Sequence, residues 1–274
     1  TVTNANSCVN TGMATVLINP EPTPIANSNS PICVNNTLSF TGSGGNTYFW
    51  TGPNGFSSIA QNPTLVATSS NMSGSYMLTV SDAIGCSSST VITVVVNPIP
   101  SISITSSNIN GCAPVCTQFS AQTSSGVQSV NWNSGGGQSA IGNTVDFCYS
   151  QAGNYMITAQ AVDNAGCINT STYVINVVPK PIADFNYAPY YPTVNVDGTV
   201  KFTDASHTGT ITAWNWYFMN TAQYTSTQQH PEFTFTEAGS YEVVLVVKNS
   251  IGCSDTIIKT IVVGEDYGIY VPNA

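Results

Sequence analysis

Charge is what this chain has least of. Only 6% of its 274 residues are charged, 4 Lys or Arg against 13 Asp or Glu, giving a formal net charge of −9. Neutralising phosphates takes clustered Lys and Arg, so nucleic acid and anionic membrane surfaces are poor partners. Histidine is nearly missing as well: His207 and His230 are the two in the chain. Ser, His and Asp all occur, but nothing in their spacing places them as a triad, and no nucleophile-elbow motif is present. The carboxylates are scattered, with no local pair that reads as a glycosidase dyad. No run approaches the ~18 apolar residues of a membrane span, so membrane insertion is not expected. No stretch sustains a 3.6-residue apolar period, which leaves no α-helix of consequence. On these grounds no catalytic residue, cofactor or metal is assigned, and the chain reads as a non-enzyme.

What is present is repetition. Four times a Thr/Val-rich or aromatic run enters a small turn that ends in Cys: NANSC (Cys8), DAIGC (Cys86), DNAGC (Cys167) and NSIGC (Cys253). The steps, 86 − 8 = 78, 167 − 86 = 81 and 253 − 167 = 86, mark an array of similar modules. Three of the turns follow a Gly-x-Tyr (Gly74–Tyr76, Gly153–Tyr155, Gly239–Tyr241), with Trp50, Trp132 and Trp216 some two dozen residues earlier. Alternating β-branched runs fill the space between, at Tyr76–Val80, Val91–Val96, Tyr155–Ala159, Tyr173–Val178, Val200–Thr203, Tyr241–Val247 and Ile257–Val263. Short strands with closely spaced Gly, Asn, Ser and Pro turns predict an all-β protein of tandem immunoglobulin-like β-sandwiches in an elongated array. At ~35–40 Å per module from strand length plus loops, three modules predict a rod of roughly 110 Å.

Proline-rich joints set the expected boundaries: NPEPTP at 19–24, NPIP at 97–100 and VPKP at 178–181. Short Pro-x-Pro joints resist bending. The expected domains are 1–20, the last hairpin of a preceding module; 21–98, an Ig-like module; 99–178 and 179–264, two further modules; and 265–274, a linker. The first assignment rests on TVTNANSC matching LTVSDAIGC and ATVLINP matching ITVVVNP. It implies a segment of a longer protein, or a hairpin that completes a neighbouring molecule by strand addition.

In an immunoglobulin-like sandwich a Trp on the third strand fills the core, and a Tyr at the start of the sixth bonds back to backbone at a corner. Trp50, Trp132 and Trp216 take the first role and Tyr76, Tyr155 and Tyr241 the second, as buried core. Tyr190, Tyr191, Trp214 and Tyr224 fall outside this alignment. They are the candidates for an exposed aromatic platform, with ordinary surface exposure as the competing reading.

The third module reads ADFNY, VKFTDAS, ITAWNWYFMN and QHPEFTFTEAGSYEVVLVVKNSIGCSD. It resembles a PKD domain (polycystic kidney disease repeat): a Phe-Thr-Asp strand, Trp-x-Trp-x-Phe-Gly-Asp-Gly, Asn-Pro-x-His-x-Tyr, then Gly-x-Tyr-x-Val. The second, with GCAPVCTQFSA, VNWNSGGG and FCYSQAGNYMITAQAVDNAGC, resembles it more loosely. The first, with YFWTGPNGFSS and NPTL, is similar to Ig-like repeats of surface proteins in gliding bacteria. Residues 217–220 replace Phe-Gly-Asp-Gly and remove its acidic turn. Some PKD domains hold calcium, which makes Asp184 and Asp204 weak candidates against the plainer role of solvated turn carboxylates. The ending GEDYGIYVPNA resembles the lead-in to a type B C-terminal sorting domain of type IX secretion cargo. Asp255-Thr256-Ile257 fits the short O-glycosylation pattern of such bacteria, with Thr256 as acceptor.

Eight cysteines at recurring places read as a disulfide framework and an oxidising compartment. The rival, a zinc site at Cys112 and Cys116, lacks a second close Cys/His pair. Phe40, Phe119 and Phe202 align the second strands, and Cys33 and Cys112 each lie seven residues before theirs. Two pairings compete: within modules, Cys33–Cys86 and Cys112–Cys167; between modules, Cys33–Cys167 and Cys112–Cys253. The first leaves Cys253 unexplained. The second leaves Cys8 and Cys86 over, and it suits a sandwich in which the first-second and sixth-seventh connections lie at opposite ends of one domain. Cys116–Cys148 joins adjacent second and fifth strands.

The function expected from all this is a non-catalytic stalk or adhesin segment of a secreted cell-surface protein, with a role in adhesion and gliding. Its partners would be neighbouring modules of the same chain, the type IX secretion machinery, and a polysaccharide or other surface ligand. The alternatives are an accessory arm of a secreted polysaccharide-degrading enzyme and a self-assembling fibre subunit.

Overall fold

The computed structural model describes residues 1–107, 110–194, 198–219 and 223–265. Strands dominate, and the described residues contain no α-helix, only two three-residue 3-10 turns at Pro53–Gly55 and Ser70–Met72. None of these is long and apolar enough to cross a membrane. Two compact units are present: Thr1–Pro100 with Val162–Ile168, and Ser101–Ala161 with Asn169–Ala274. Three hydrophobic cores lie within them, built around Trp50, Trp132 and Trp216.

Each core sits between two sheets with one repeated strand order. In the first module Ile25–Ser28, Thr37–Ser43 and Thr64–Val66 form one sheet. Ser87–Val94, Gly74–Ser81, Thr47–Thr51 and Ser57–Ser58 form the other. The second module repeats this with Ile102–Ser106, Val115–Thr123 and Thr144–Tyr149 facing Ile168–Val178, Gly153–Asp163, Val127–Asn133 and Ser139–Ile141. The third has Phe185–Ala188, Thr199–Asp204 and Glu232–Thr234 facing Ser254–Val263, Gly239–Asn249, Ile211–Phe218 and Thr225–Ser226. Alternation along Thr37–Ser43 sends Leu38 and Phe40 inward, and along Gly239–Asn249 sends Val243, Leu245 and Val247 inward. That is the period-2 pattern of strands with one buried face.

A short parallel strand closes each module onto its last strand. Ile32–Cys33 pairs with Val96–Asn97, Asn110–Cys112 with Asn176–Val178, and Thr193 bridges Gly264. Here the structure corrects the expected run Val91–Val96: Val95 leaves the strand. Its N–H donates to the Ser30 hydroxyl at 2.7 Å, and the chain then pairs with Ile32–Cys33. The 1–20 segment is a smaller hairpin than the repeat predicts, Val2–Thr3 against Val9–Asn10, with no strand across residues 11–24. All its side chains are exposed, so no core rewards a longer ladder.

Candidate functional site

The repeated Cys turn is one structure used four times. In Asp163–Cys167 the Asp163 N–H donates to Cys167 O, Gly166 N–H donates to Asp163 O, and the carboxylate accepts the Cys167 N–H at 2.8 Å. Asp82 and Asn249 do the same for Cys86 and Cys253, and Asn4 does so for Cys8. The turn requires a residue with positive φ just before the Cys. Gly85, Gly166 and Gly252 supply it at 92°, 79° and 92°, a region open to glycine without steric cost. In the three later turns an Asx residue, a glycine and a cysteine at fixed offsets therefore build a mount for a thiol at the end of the sixth strand, and in the first turn Ser7 takes the glycine's place with φ 61°.

Two of these mounts carry disulfides. Cys33 pairs with Cys167 at a Cα separation of 5.6 Å, inside the first unit, and Cys112 pairs with Cys253 at 5.7 Å, inside the second. Cys116 and Cys148 lie directly opposite each other on antiparallel strands and form the third bond. The alternatives Cys33–Cys86 and Cys112–Cys167 are not formed: Cys8 and Cys86 are free, the first exposed and the second half-buried. What separates the pairings is the parallel strand that carries Cys33 and Cys112. It sets Cys33 beside Asn97 and Cys112 beside Val178, where the chain leaves each module. At the second joint Lys180 pairs with Asp255 at 3.0 Å, and the same carboxylate accepts the Ala183 N–H. These contacts, the Ala183 bond first, hold the Asp255 carboxyl below the usual range.

The core aromatics also repeat their contacts. The indole N–H groups of Trp50, Trp132 and Trp216 donate to the carbonyls of Gln61, Gly142 and Gln228. Phe40, Phe119 and Phe202 pack against those rings. The hydroxyls of Tyr76, Tyr155 and Tyr241 each donate to the carbonyl four residues earlier, at 3.0, 2.9 and 2.8 Å. Of the three, Tyr76 alone is fully buried. Tyr155 and Tyr241 are half-buried and pack against the edge of their cores.

Asp184 and Asp204 lie near one another through Ser206, which donates its hydroxyl to Asp184 O while its N–H donates to Asp204 Oδ1. Both carboxylates are engaged by protein donors. Asp184 pairs with Lys259 at 2.6 Å, and that hydrogen bond is the main reason its carboxyl lies below the usual range. Asp204 accepts from the Trp214 indole at 2.8 Å and from the Gln229 amide at 3.0 Å. Burial pushes its carboxyl up, but the bonds from Ser206, Gln229 and Trp214 together hold it down. No cluster of three His, Cys, Asp or Glu able to hold a metal occurs among the described residues. His230 Nδ1 accepts the Asp204 N–H at 3.1 Å.

The four platform candidates separate. Trp214 is half-buried and bonded to Asp204, and Tyr224 packs edge-on to Phe233 at 5.7 Å. Tyr224 is still 42% exposed, and Tyr190 and Tyr191 are the most exposed of the four, at 68% and 82%. They border a groove of about 530 Å³ with Tyr187, Pro192 and Thr260, and a second of about 400 Å³ shares Tyr187, Tyr190 and Thr260. Composition carried no sign of this grouping: the Tyr-Ala-Pro-Tyr-Tyr-Pro spacing of 187–192 was the signal for it. Thr256 is exposed on the strand Ser254–Val263, opposite Val246. Of the sorting-domain lead-in at 264–274, all but Gly264 and Glu265 lies outside the described residues.

A PKD domain model matches residues 184–262 and a second PKD domain model matches 95–177. No curated protein matches the chain. Among solved structures, the PKD1 domain of the Vibrio cholerae metalloprotease PrtV is 34% identical across 31% of this chain and 96% of its own, with a TM-score of 0.27. An I-band fragment of titin is 12% identical, covering 91% of this chain and 100% of its own, with a TM-score of 0.45. A solved chain from a 1.5-MDa bacterial ice-binding adhesin is 12% identical, covering 90% of this chain and 100% of that solved chain, with a TM-score of 0.36. The chain is therefore a tandem PKD/Ig-like repeat region, with PKD domains at 95–177 and 184–262.

Proposed function

We propose that this region is a non-catalytic, tension-bearing stalk of a secreted cell-surface adhesin, exported by type IX secretion and serving adhesion and gliding. The observation that carries the reading is the connectivity of the disulfides. Cys112 lies between Cys33 and Cys167 in sequence, so the two bonds interleave. Tension reaching Cys33 crosses to Cys167, runs back 167 − 148 = 19 residues to Cys148, and crosses to Cys116. It then runs 116 − 112 = 4 residues to Cys112 and crosses to Cys253. The extensible backbone between Cys33 and Cys253 is about 23 residues, roughly 80 Å when taut. Without the bonds it is 253 − 33 = 220 residues, roughly 770 Å. Most of each module lies off the path that carries the force. A stalk under shear gains from this arrangement, because its modules stay off the path of the force.

Two further features support an extracellular setting: three disulfides in a small chain, and a surface made of Asn, Ser, Thr and Gly rather than charge. Single-molecule pulling from both termini tests the proposal. The oxidised chain should reach its limit early. Reductant should release on the order of 700 Å of further contour between Cys33 and Cys253. Equal contour in both states would overturn the stalk reading.

A further inference from the structure

We infer that the third module carries a binding groove for a neutral polysaccharide, with Tyr190 and Tyr191 as its stacking surface. This deepens the adhesin reading and rests on it for the setting of the ligand.

The rings are the starting point. Tyr187 and Tyr190 stack with their planes 5° apart and centroids 5.6 Å apart. Tyr191 stands nearly perpendicular to Tyr190, at 85° and 5.1 Å. The three make a corner with one floor and one wall, while Tyr190 and Tyr191 stay mostly in water. Large aromatic area left exposed in a contiguous patch marks a contact surface more often than chance. The volume, about 530 Å³, is that of an ordinary ligand cleft.

The chemistry of the rim selects the ligand class. Thr193 and Thr260 bring hydroxyls, and Asn186 brings an amide. The cation at the rim, Lys259, is taken: its ammonium pairs with Asp184 and donates to Phe185 O. A charged ligand therefore meets no free counter-charge in the groove. A purely apolar one would strand the hydroxyl and amide groups. A pyranose chain satisfies both demands, because its C–H faces stack on ring faces and its hydroxyls exchange hydrogen bonds with Thr and Asn. The competing occupant is an extended peptide added to the strand Ser254–Val263. That edge is already closed at its end: Gly264 N–H donates to Pro192 O at 2.9 Å, and Gly264 O accepts the Val194 N–H at 3.2 Å.

Native affinity gels of the whole oxidised chain in xylan, laminarin and hydroxyethylcellulose test the inference. At least one should retard the protein. Tyr190→Ala with Tyr191→Ala should weaken the retardation about tenfold or more, from the loss of two stacking rings. Tyr190→Phe with Tyr191→Phe keeps the rings and should keep most of it. Both side chains are exposed, so the variants should fold, and an intact Cys112–Cys253 peptide link together with unchanged circular dichroism checks this. Three results overturn the inference: no retardation in any of the three polymers, retardation unchanged in the double-Ala variant, or binding of an alternating Val/Thr peptide in place of the sugars. None of them bears on the stalk reading, which the pulling experiment tests separately.

Discussion

Removing the Cys112–Cys253 bond, by Cys112→Ser with Cys253→Ser, should destabilise the third module and leave the second nearly untouched. The two cysteines are 141 residues apart in sequence, which overstates the loop that matters. Cys112 is paired with Val178, and Ala113 N–H donates to Val178 O at 2.9 Å, so Cys112 is held where the chain leaves the second module. With the second module folded, unfolding the third opens a loop only from Val178 to Cys253. That is about 75 residues, and the closure-entropy relation gives about 15 cal/mol/K, or ~4.5 kcal/mol at 25 °C. This is a ceiling, and disulfides typically deliver ~2–4 kcal/mol. For a domain of this size such a loss lowers the melting temperature by on the order of 10–20 °C. Native-state hydrogen exchange reads the effect by module. Amides on Thr199–Asp204 and Gly239–Asn249 should exchange faster in the variant, and those on Val115–Thr123 should not. The control is Cys116→Ser with Cys148→Ser. It opens a loop whose ends are 32 residues apart inside the second module, and by the same relation should cost that module up to ~3.7 kcal/mol. Unchanged exchange in the third module, or a loss confined to the second, would refute the anchored-loop reasoning.

Removing each corner hydroxyl should separate the three tyrosines. Tyr76→Phe leaves the Met72 carbonyl without its buried partner and should cost ~1–3 kcal/mol, whereas water can replace the half-exposed Tyr155 and Tyr241 hydroxyls, so their Phe variants should cost under ~1 kcal/mol by urea unfolding. Acid should weaken the third module, because Asp184, Asp204 and Asp255 are all held below the ordinary carboxylate range. A carboxylate with a depressed folded pKa contributes stability that is complete above its unfolded value and lost as pH falls through its folded one. Urea midpoints reported by Trp216 should hold from pH 7 to ~5 and fall below ~4; a midpoint that rises on acidification contradicts the assignment.

The fold class was legible because its signals are local. Alternation, Gly-x-Tyr and the Asx-x-x-Gly-Cys turn each act over fewer than ten residues, and each aromatic role follows from its place on a strand. What the sequence left open depends on where distant chain segments meet. Cys33 and Cys112 have equivalent spacing to Phe40 and Phe119 under either pairing, and only the parallel strand beside the module exit separates the two outcomes. Depth of burial was also out of reach. Tyr76, Tyr155 and Tyr241 share one position in the repeat, yet only Tyr76 is enclosed, with Phe56 and Phe40 on its ring. Trp214 falls outside the aligned core aromatics and so reads from the sequence as a platform candidate. The carboxylate of Asp204, from the facing sheet, takes its indole N–H.

The scarcity of charge and the disulfides belong to one physical solution. Modules of this size close over small cores, and net stability in single domains is only about 5–15 kcal/mol. Ion pairs add little here: three occur among the described residues, Lys180–Asp255, Lys259–Asp184 and the long Lys201–Glu232 contact at 4.0 Å, and exposed pairs contribute under about 1 kcal/mol each. A staple worth up to ~4.5 kcal/mol is therefore comparable to a large part of one module's whole margin. Such a contribution does not weaken with salt, as ion pairs do. Because each staple joins the Asx turn after one module's sixth strand to the parallel strand beside the exit of the one before, the bond that stabilises a module is, in the proposed stalk, also the one that carries tension around it. Stability and mechanical continuity are then a single property of the repeat, set by a cysteine on the parallel strand and another on the Asx turn.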